Sequence, residues 1–270
     1  MTPTTTRPLA AVTGASSGIG LELARRFAAE GFDVIAAAED DGIVPRAREI
    51  SAATGASVDP VQVDLATASG VDEVYARILG SGRPLDAIAL NAGIGAGGAF
   101  ATDTALADEL RLVDLNVRST VHLAKHVVAD MVARGEGRIL FTSSIAAAMP
   151  GTYQAVYNAS KSFVQSLALA LRAELKDTGV TVTALMPGPT DTEFFERADM
   201  LDTRIGASDA KDDPADVARD GFEALMAGKE RVVSASLATK LQGRGSRFVP
   251  DRAKAAMHAR MAEPGSAKDD

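Results

Sequence analysis

The chain has 270 residues, 46% hydrophobic and 24% charged, an ordinary globular composition with enough length for a core that needs no disulfide or metal staple. It has no Cys and three His (His122, His126, His258), which excludes thiolate nucleophiles, disulfides and thiolate zinc sites and leads us to expect no metal site. A net charge of −8 argues against nucleic acid as a partner.

Short apolar runs alternate with segments of helical periodicity along the chain. The run 9–13 ends at Gly14 and is followed by a helical pattern over 19–30. The run 34–38 precedes a helix over 44–54, and 58–63 precedes Asp64 and a helix over 70–79. The run 85–90 ends at Asn91 and leads to a long helical stretch over 104–134. The runs 138–142 and 180–186 flank a helix over 157–178. The runs do not alternate apolar with polar, as expected for strands covered on both faces. The predicted fold is α/β: a doubly wound parallel sheet of the Rossmann type, in three α/β/α layers. In such a sheet, ligands bind beyond the C-terminal ends of the strands. Here those ends carry Gly14, Asp64, Asn91, Ser143 and Pro187.

No linker or repeat interrupts the pattern, so 1–270 is read as one domain, with a lid segment at 190–208 and a C-terminal extension at 236–270. We see no secretory leader at the N-terminus and no apolar run of about 18 residues, which predicts a cytoplasmic protein without an integral membrane segment. Residues 229–260 carry eight Lys/Arg against two acids, so the basic tail contrasts with an acidic body. Such a tail suits a solvated helix face, an acidic partner or an anionic lipid surface.

Gly14, Gly18 and Gly20 punctuate the turn Thr13-Gly14-Ala15-Ser16-Ser17-Gly18-Ile19-Gly20 between the first strand and the first helix. Glycines there permit a tight turn, and the helix N-terminus offers free N–H groups and the positive end of its dipole to a pyrophosphate. The same letters read G-x-S-x-G around Ser16, the elbow of a serine hydrolase. That alternative needs a later acid and a His after a strand, whereas two of the three His fall in the long helical stretch and the third in the basic tail. A glycine turn without a ligand is the plainer alternative.

Tyr157 and Lys161 stand at i and i+4, on one helix face, close after the strand that ends beside Ser144. Tyrosine, with a pKa of about 10, is a poor base at neutral pH. An ammonium about 4 Å away, at an effective dielectric near 20, is worth roughly 4 kcal/mol. It is therefore expected to bring the phenol toward 7, where proton transfer is efficient.

Taken together and in order, residues 13–20, Asp64, Asn91-Ala92-Gly93, Asn116, Ser144, Tyr157-x3-Lys161 and Pro187-Gly188 resemble the short-chain dehydrogenase/reductase family from residue 8 to about 230. The resemblance implies hydride transfer between a nicotinamide cofactor and an alcohol or carbonyl. It makes Tyr157 the proton donor or acceptor, with Lys161 tuning it and holding the nicotinamide ribose. Ser144 would bind the substrate oxygen, and Asn116 would hold a relay water. It assigns to the cofactor Gly14, Ser16, Ser17, Gly18, Ile19, Gly20, Asp64, Leu65, Asn91, Ala92, Gly93, Pro187, Gly188, Thr190 and Thr192, besides Tyr157 and Lys161. Simpler readings remain for three of these: a helix kink at Asn116, and a strand-end cap or turn at Asp64 and Asn91.

After the second strand the chain reads Ala38-Glu39-Asp40-Asp41, three acids and no base. Glu39 would repel a 2′-phosphate, so NAD is expected over NADP, although the family's usual aspartate position holds Ala38. The pocket candidates Met149, Tyr153, Gln154, Phe194, Phe195 and Met200 are mostly apolar, which suggests a hydrophobic ketone or secondary alcohol. The family also implies a dimer or tetramer through the helices 104–134 and 157–178. The extension, with Leu237, Leu241, Phe248, Val249 and Met257, is expected to cover the pocket or meet a subunit. A non-catalytic, cofactor-sensing protein on the same fold is the alternative from another class. Its discriminating test is turnover.

Overall fold

The apolar runs become strands: β1 (Leu9–Thr13), β2 (Asp33–Ala38), β3 (Val58–Gln62), β4 (Ala87–Leu90), β5 (Gly137–Thr142), β6 (Val180–Pro187) and β7 (Arg231–Ser234). In the computed structural model, which describes residues 7–234 and 249–269, they form one sheet in the order β3-β2-β1-β4-β5-β6-β7. Every pairing is parallel, for example Leu9↔Asp33, Ala10↔Ala87 and Arg138↔Thr181. The winding reverses between β1 and β4, which opens a crevice at their C-terminal ends. The glycine turn and Asn91 both lie there.

The helices are α1 (Gly18–Ala29), α2 (Ile43–Thr54), α3 (Ala68–Gly80), α4 (Leu106–Val113), α5 (Ser119–Arg134), α6 (Ala155–Glu174), α7 (Phe194–Arg197), α8 (Arg204–Ala207), α9 (Pro214–Met226) and α10 (Asp251–Ala262). Successive strand residues point to opposite faces. Ile139 and Phe141 join Leu123, Met131 and Val164 on one face. Leu140 and Leu185 join Leu23, Phe27 and Phe222 on the other. Phe27 meets Phe32 and Phe222 edge-on at 5.2 and 5.1 Å, which fastens α1 to α9. Among the described residues, no helix is long and apolar enough to cross a membrane.

The sheet class and its six expected strands stand, but several details differ. The stretch 104–134 is not one helix. A π-helical turn, Asp114–Arg118, separates α4 from α5. Asn116 sits in it and sends its amide sideways to Ile94 instead of along the helix. The helix α9 and the closing strand β7 were not among the expected elements. Segment 190–208 holds the short helices α7 and α8 and is tied down by a bridge between Thr190 and Asp212. In the extension, α10 packs against α8 and donates its face to the pocket described below, while Leu237, Leu241 and Phe248 lie outside the described residues.

Candidate active site

Each glycine of the first turn is there for an identifiable reason. Gly14 and Gly18 have φ of +68° and +53°, which L side chains rarely adopt. A Cβ on Gly20 would stand 2.0 Å from the Gly14 carbonyl oxygen. Thr13 Oγ1 accepts the backbone N–H groups of Asn91 (2.9 Å) and Ala92 (3.0 Å), and Asn91 Nδ2 donates to the Thr13 carbonyl at 3.1 Å. Asn91 thus borders the crevice while its amide binds β1 to β4, as a turn former does. The first turn of α1 has no acid and its N-cap, Ser17, makes no capping bond, so its N–H groups stay available to an anion. Ser16 donates to the carboxylate of Asp40, not to a His.

One cavity of about 500 Å³ starts at this turn and runs along the strand ends to α6, α7 and α10. Every residue from Gly14 to Thr192 expected to touch the cofactor lines it: the glycine turn with Ser16, Ser17 and Ile19; Glu39; Asp64 and Leu65; Asn91, Ala92 and Gly93; Tyr157 and Lys161; Pro187, Gly188, Thr190 and Thr192. Glycine close packing, the open helix end and the length of the cavity suit a dinucleotide.

At its outer end the structure adds a residue that sequence reasoning missed. Arg111, from α4, lies 2.8 Å from Glu39 and 3.1 Å from Asp64. The segment after β2 has no base of its own, and the base arrives from 72 positions further along. No local spacing announces it.

The chemical end is built by β5 and α6. Beyond Thr142, Ser143 Oγ donates to the Lys161 carbonyl at 2.9 Å. Ser144 accepts from Ala146 N at 3.1 Å, capping a short 3-10 turn, and its side chain faces the cavity that Tyr157 also lines. Lys161 lies one turn beyond Tyr157, its Nζ 5.8 Å from the Tyr157 ring centroid and 3.1 Å from the Thr142 carbonyl oxygen, to which it donates. Phe194 packs on the Tyr157 ring at 5.1 Å.

The expected fall of the phenol pKa is not found. Tyr157 keeps partial exposure into the cavity, but loss of solvent pushes it up to about 12, against a small opposing effect of the Ser144 hydroxyl. Lys161 is 6% exposed, and burial pushes it down to about 8. Desolvation acts on both groups, raising the phenol and lowering the ammonium.

Asn116 sits beside this end and is tied to protein through its side-chain amide. Its Oδ1 accepts from Ile94 N at 2.9 Å, and its Nδ2 donates to Ile94 O (2.9 Å) and Ser160 Oγ (3.1 Å). Both amide protons are spent on protein, and Asn116 is not part of the cavity lining. Its position braces the loop after β4 at Ile94, beside Lys161; a Cβ on Gly93 would lie 3.1 Å from both Asn116 Oδ1 and Lys161 Nζ.

On the substrate side Met149, Gln154, Phe194 and Phe195 line the cavity, but Tyr153 and Met200 do not. Met200 is fully buried in a satellite core with Phe195, Ala198 and Ala262, and its Sδ takes the Gln154 amide. Tyr153 has φ +66° and turns its hydroxyl away, toward Glu263. Their places are taken by Ile205 and by His258 and Met261 of α10. His258 is buried, its Nδ1 2.9 Å from the Thr152 carbonyl oxygen, and burial lowers its pKa.

A family model described as short chain dehydrogenase matches residues 8–200. The chain belongs to the short-chain dehydrogenase/reductase family. It is accordingly an NAD(P)-dependent oxidoreductase. Serine 3-dehydrogenase of Agrobacterium fabrum is 31% identical over 183 residues, 68% of this chain and 72% of that one. A short-chain dehydrogenase of Sphingobium yanoikuyae, solved in complex with NADPH, superposes with a TM-score of 0.79 at 27% identity, covering 89% of this chain and 93% of that one. The bulky-bulky ketone specific alcohol dehydrogenase of Comamonas testosteroni gives 0.75 at 26% identity over 95% of both chains.

Proposed function

We propose that this short-chain dehydrogenase/reductase interconverts a hydrophobic ketone and its secondary alcohol, with Tyr157 as the general acid or base. The observation that carries the reading is that Ser144, Tyr157 and Lys161 line the same cavity as the glycine turn. The bound nicotinamide supplies or takes the hydride. In reduction, Ser144 and Tyr157 hold the substrate oxygen, and the Tyr157 O–H gives its proton to that oxygen as the carbon gains the hydride. The Lys161 ammonium stabilises the phenolate left behind. In oxidation, the alcohol proton passes to the phenolate. A phenol held up near 12 stands protonated at neutral pH, which favours reduction in the free protein's resting state. Neither Cys nor His is required.

Met149, Phe194, Phe195, Ile205 and Met261 give the substrate end an apolar wall, which supports a hydrophobic carbonyl. The ketone-specific relative from Comamonas testosteroni is consistent with a roomy site of this kind. NAD(H) is the cofactor of choice in this reading. Glu39 and Asp40 line the ribose end, whereas Arg111 is held between Glu39 and Asp64 and is not part of the lining. A 2′-phosphate would have to break that pairing. Leu106, Leu110, Val121 and Phe163, exposed on α4, α5 and α6, suit burial between subunits of a dimer or tetramer.

The test is a panel of aliphatic and aromatic ketones of graded bulk, assayed at neutral pH with NADH and with NADPH. Expected are turnover of bulky apolar ketones and a higher kcat/KM with NADH. NADH binding without turnover of any member would favour a cofactor sensor, and turnover confined to charged or phosphorylated carbonyls would overturn the substrate class.

A further inference from the structure

Outside the cavity, two of the three histidines share one face of α5. His122 and His126 are at i and i+4, and Asp72 reaches them from α3, which packs alongside. We propose that Asp72, His122 and His126 bind a divalent transition ion, zinc in the first place, clipping α3 to α5. The composition argued against a metal site because it counted histidines without placing them.

The geometry is close to a coordination shell. One ligand atom from each of the three lies within 4.8 Å of the others, and His122 Nε2 is 3.1 Å from Asp72 Oδ1. Zinc bonds of about 2.0–2.1 Å put neighbouring ligand atoms of a tetrahedron about 3.4 Å apart. One edge is therefore already short enough, and the others need at most about 1.5 Å of closure. Asp72 is exposed, so its side chain has the freedom to move toward the imidazoles.

The surroundings hold one ligand in place. The Tyr75 ring stacks on His126, with centroids 4.5 Å apart and planes 18° apart. Tyr75 OH donates to Asp130 Oδ2 at 2.8 Å, so the stacking ring is itself anchored across to α5. Outer contacts that fix a ligand ring are a regular part of metal sites. A simple His122–Asp72 ion pair would account for one histidine. It does not account for the second, whose ring lies 5.3 Å from the first. A metal ion held by both imidazoles and the carboxylate would engage all three groups at once. Two nitrogens and one oxygen suit zinc, copper, nickel or cobalt, not magnesium or calcium, which take all-oxygen shells. Water would complete the fourth position.

The experiment uses the untagged full chain, stripped with a chelator and returned to buffer. Zinc is titrated against a chromophoric competitor, and cobalt(II) is followed by its visible absorption. Expected are one zinc per chain with a dissociation constant in the micromolar range or below, a visible cobalt band of tetrahedral strength, and no competition by magnesium. Both His122→Asn and His126→Ala should weaken zinc binding by about tenfold or more. Each variant should still melt cooperatively without metal, lower only by the loss of the Tyr75 stack or the Asp72 contact, which separates lost ligation from lost folding. Ketone reduction should persist in the variants. Absence of stoichiometric zinc binding in the parent, or equal affinity in both folded variants, would overturn the site.

Discussion

Replacing Lys161 by Met should make the protein more stable at neutral pH while it destroys the site. Lys161 is 6% exposed and its pKa is pushed from 10.5 to about 8. Below pH 8 the ammonium is present in the folded and the unfolded chain, and the folded chain bears the full cost of burying it. The shift corresponds to about 3 kcal/mol. Met removes that cost but leaves the Thr142 carbonyl without its 3.1 Å donor, a loss of about 1 kcal/mol. The net gain is about 2 kcal/mol at pH 7. As pH rises from 8 toward 10.5, the folded protein gives up the proton first and the unfolded chain retains it. Parent stability therefore climbs relative to the variant, and the variant's advantage should nearly vanish by about pH 9.5. Tyr157, held up near 12, remains protonated in the folded state over this window and is common to both proteins. Urea unfolding at pH 6.5, 7.5, 8.5 and 9.5 measures the difference. A difference that does not change with pH, or a variant less stable at pH 6.5, would refute the assignment of Lys161 as a buried, depressed ammonium.

Other consequences are equally direct. Gly20→Ala places a methyl 2.0 Å from the Gly14 carbonyl and 2.6 Å from Asn91 Nδ2. The turn must open, which should cost about 1–3 kcal/mol in stability and weaken NADH binding by fluorescence titration at least tenfold; unchanged binding would show that the turn does not hold the cofactor. Glu39→Ala removes the acid facing the ribose end and frees Arg111 toward it. The kcat/KM ratio of NADPH to NADH should then rise by about tenfold, equivalent to about 1.4 kcal/mol, and a ratio that does not move would place cofactor choice elsewhere. Oxidation of the matching alcohol should speed up with rising pH between 7 and 10, because it needs the phenolate of a tyrosine whose pKa is raised. A pH-independent oxidation rate would contradict that.

Much of the fold was legible because a parallel sheet leaves a strong mark: short, mostly apolar runs ending in Gly14, Asp64, Asn91 and Ser143. The cofactor crevice followed from those strand ends, and the positions assigned to it do line the cavity. What the sequence concealed depends on three-dimensional neighbours. Arg111 reaches Glu39 across 72 positions, and nothing near either residue in the chain signals the contact. The phenol pKa was misjudged because spacing gives the distance between Tyr157 and Lys161 but not the solvent each has lost. Met200 and Tyr153 fell in the right segment, but in an irregular loop no periodicity tells which side chains point inward. The helix α9 did carry a signal that went unread: Asp213 followed by Pro214, a capping acid and a proline at the first helical position. The metal cluster was half visible too, as two histidines four apart, but its carboxylate partner lies on another helix.

The central claim is that Tyr157 moves the proton. Its most direct test is Tyr157→Phe, which removes one oxygen and leaves the ring packed on Phe194. NADH affinity by fluorescence should remain within about threefold of the parent, while kcat for the best ketone of the panel should fall by about 10²–10⁴. Turnover retained by the phenylalanine variant with intact NADH binding would contradict the account.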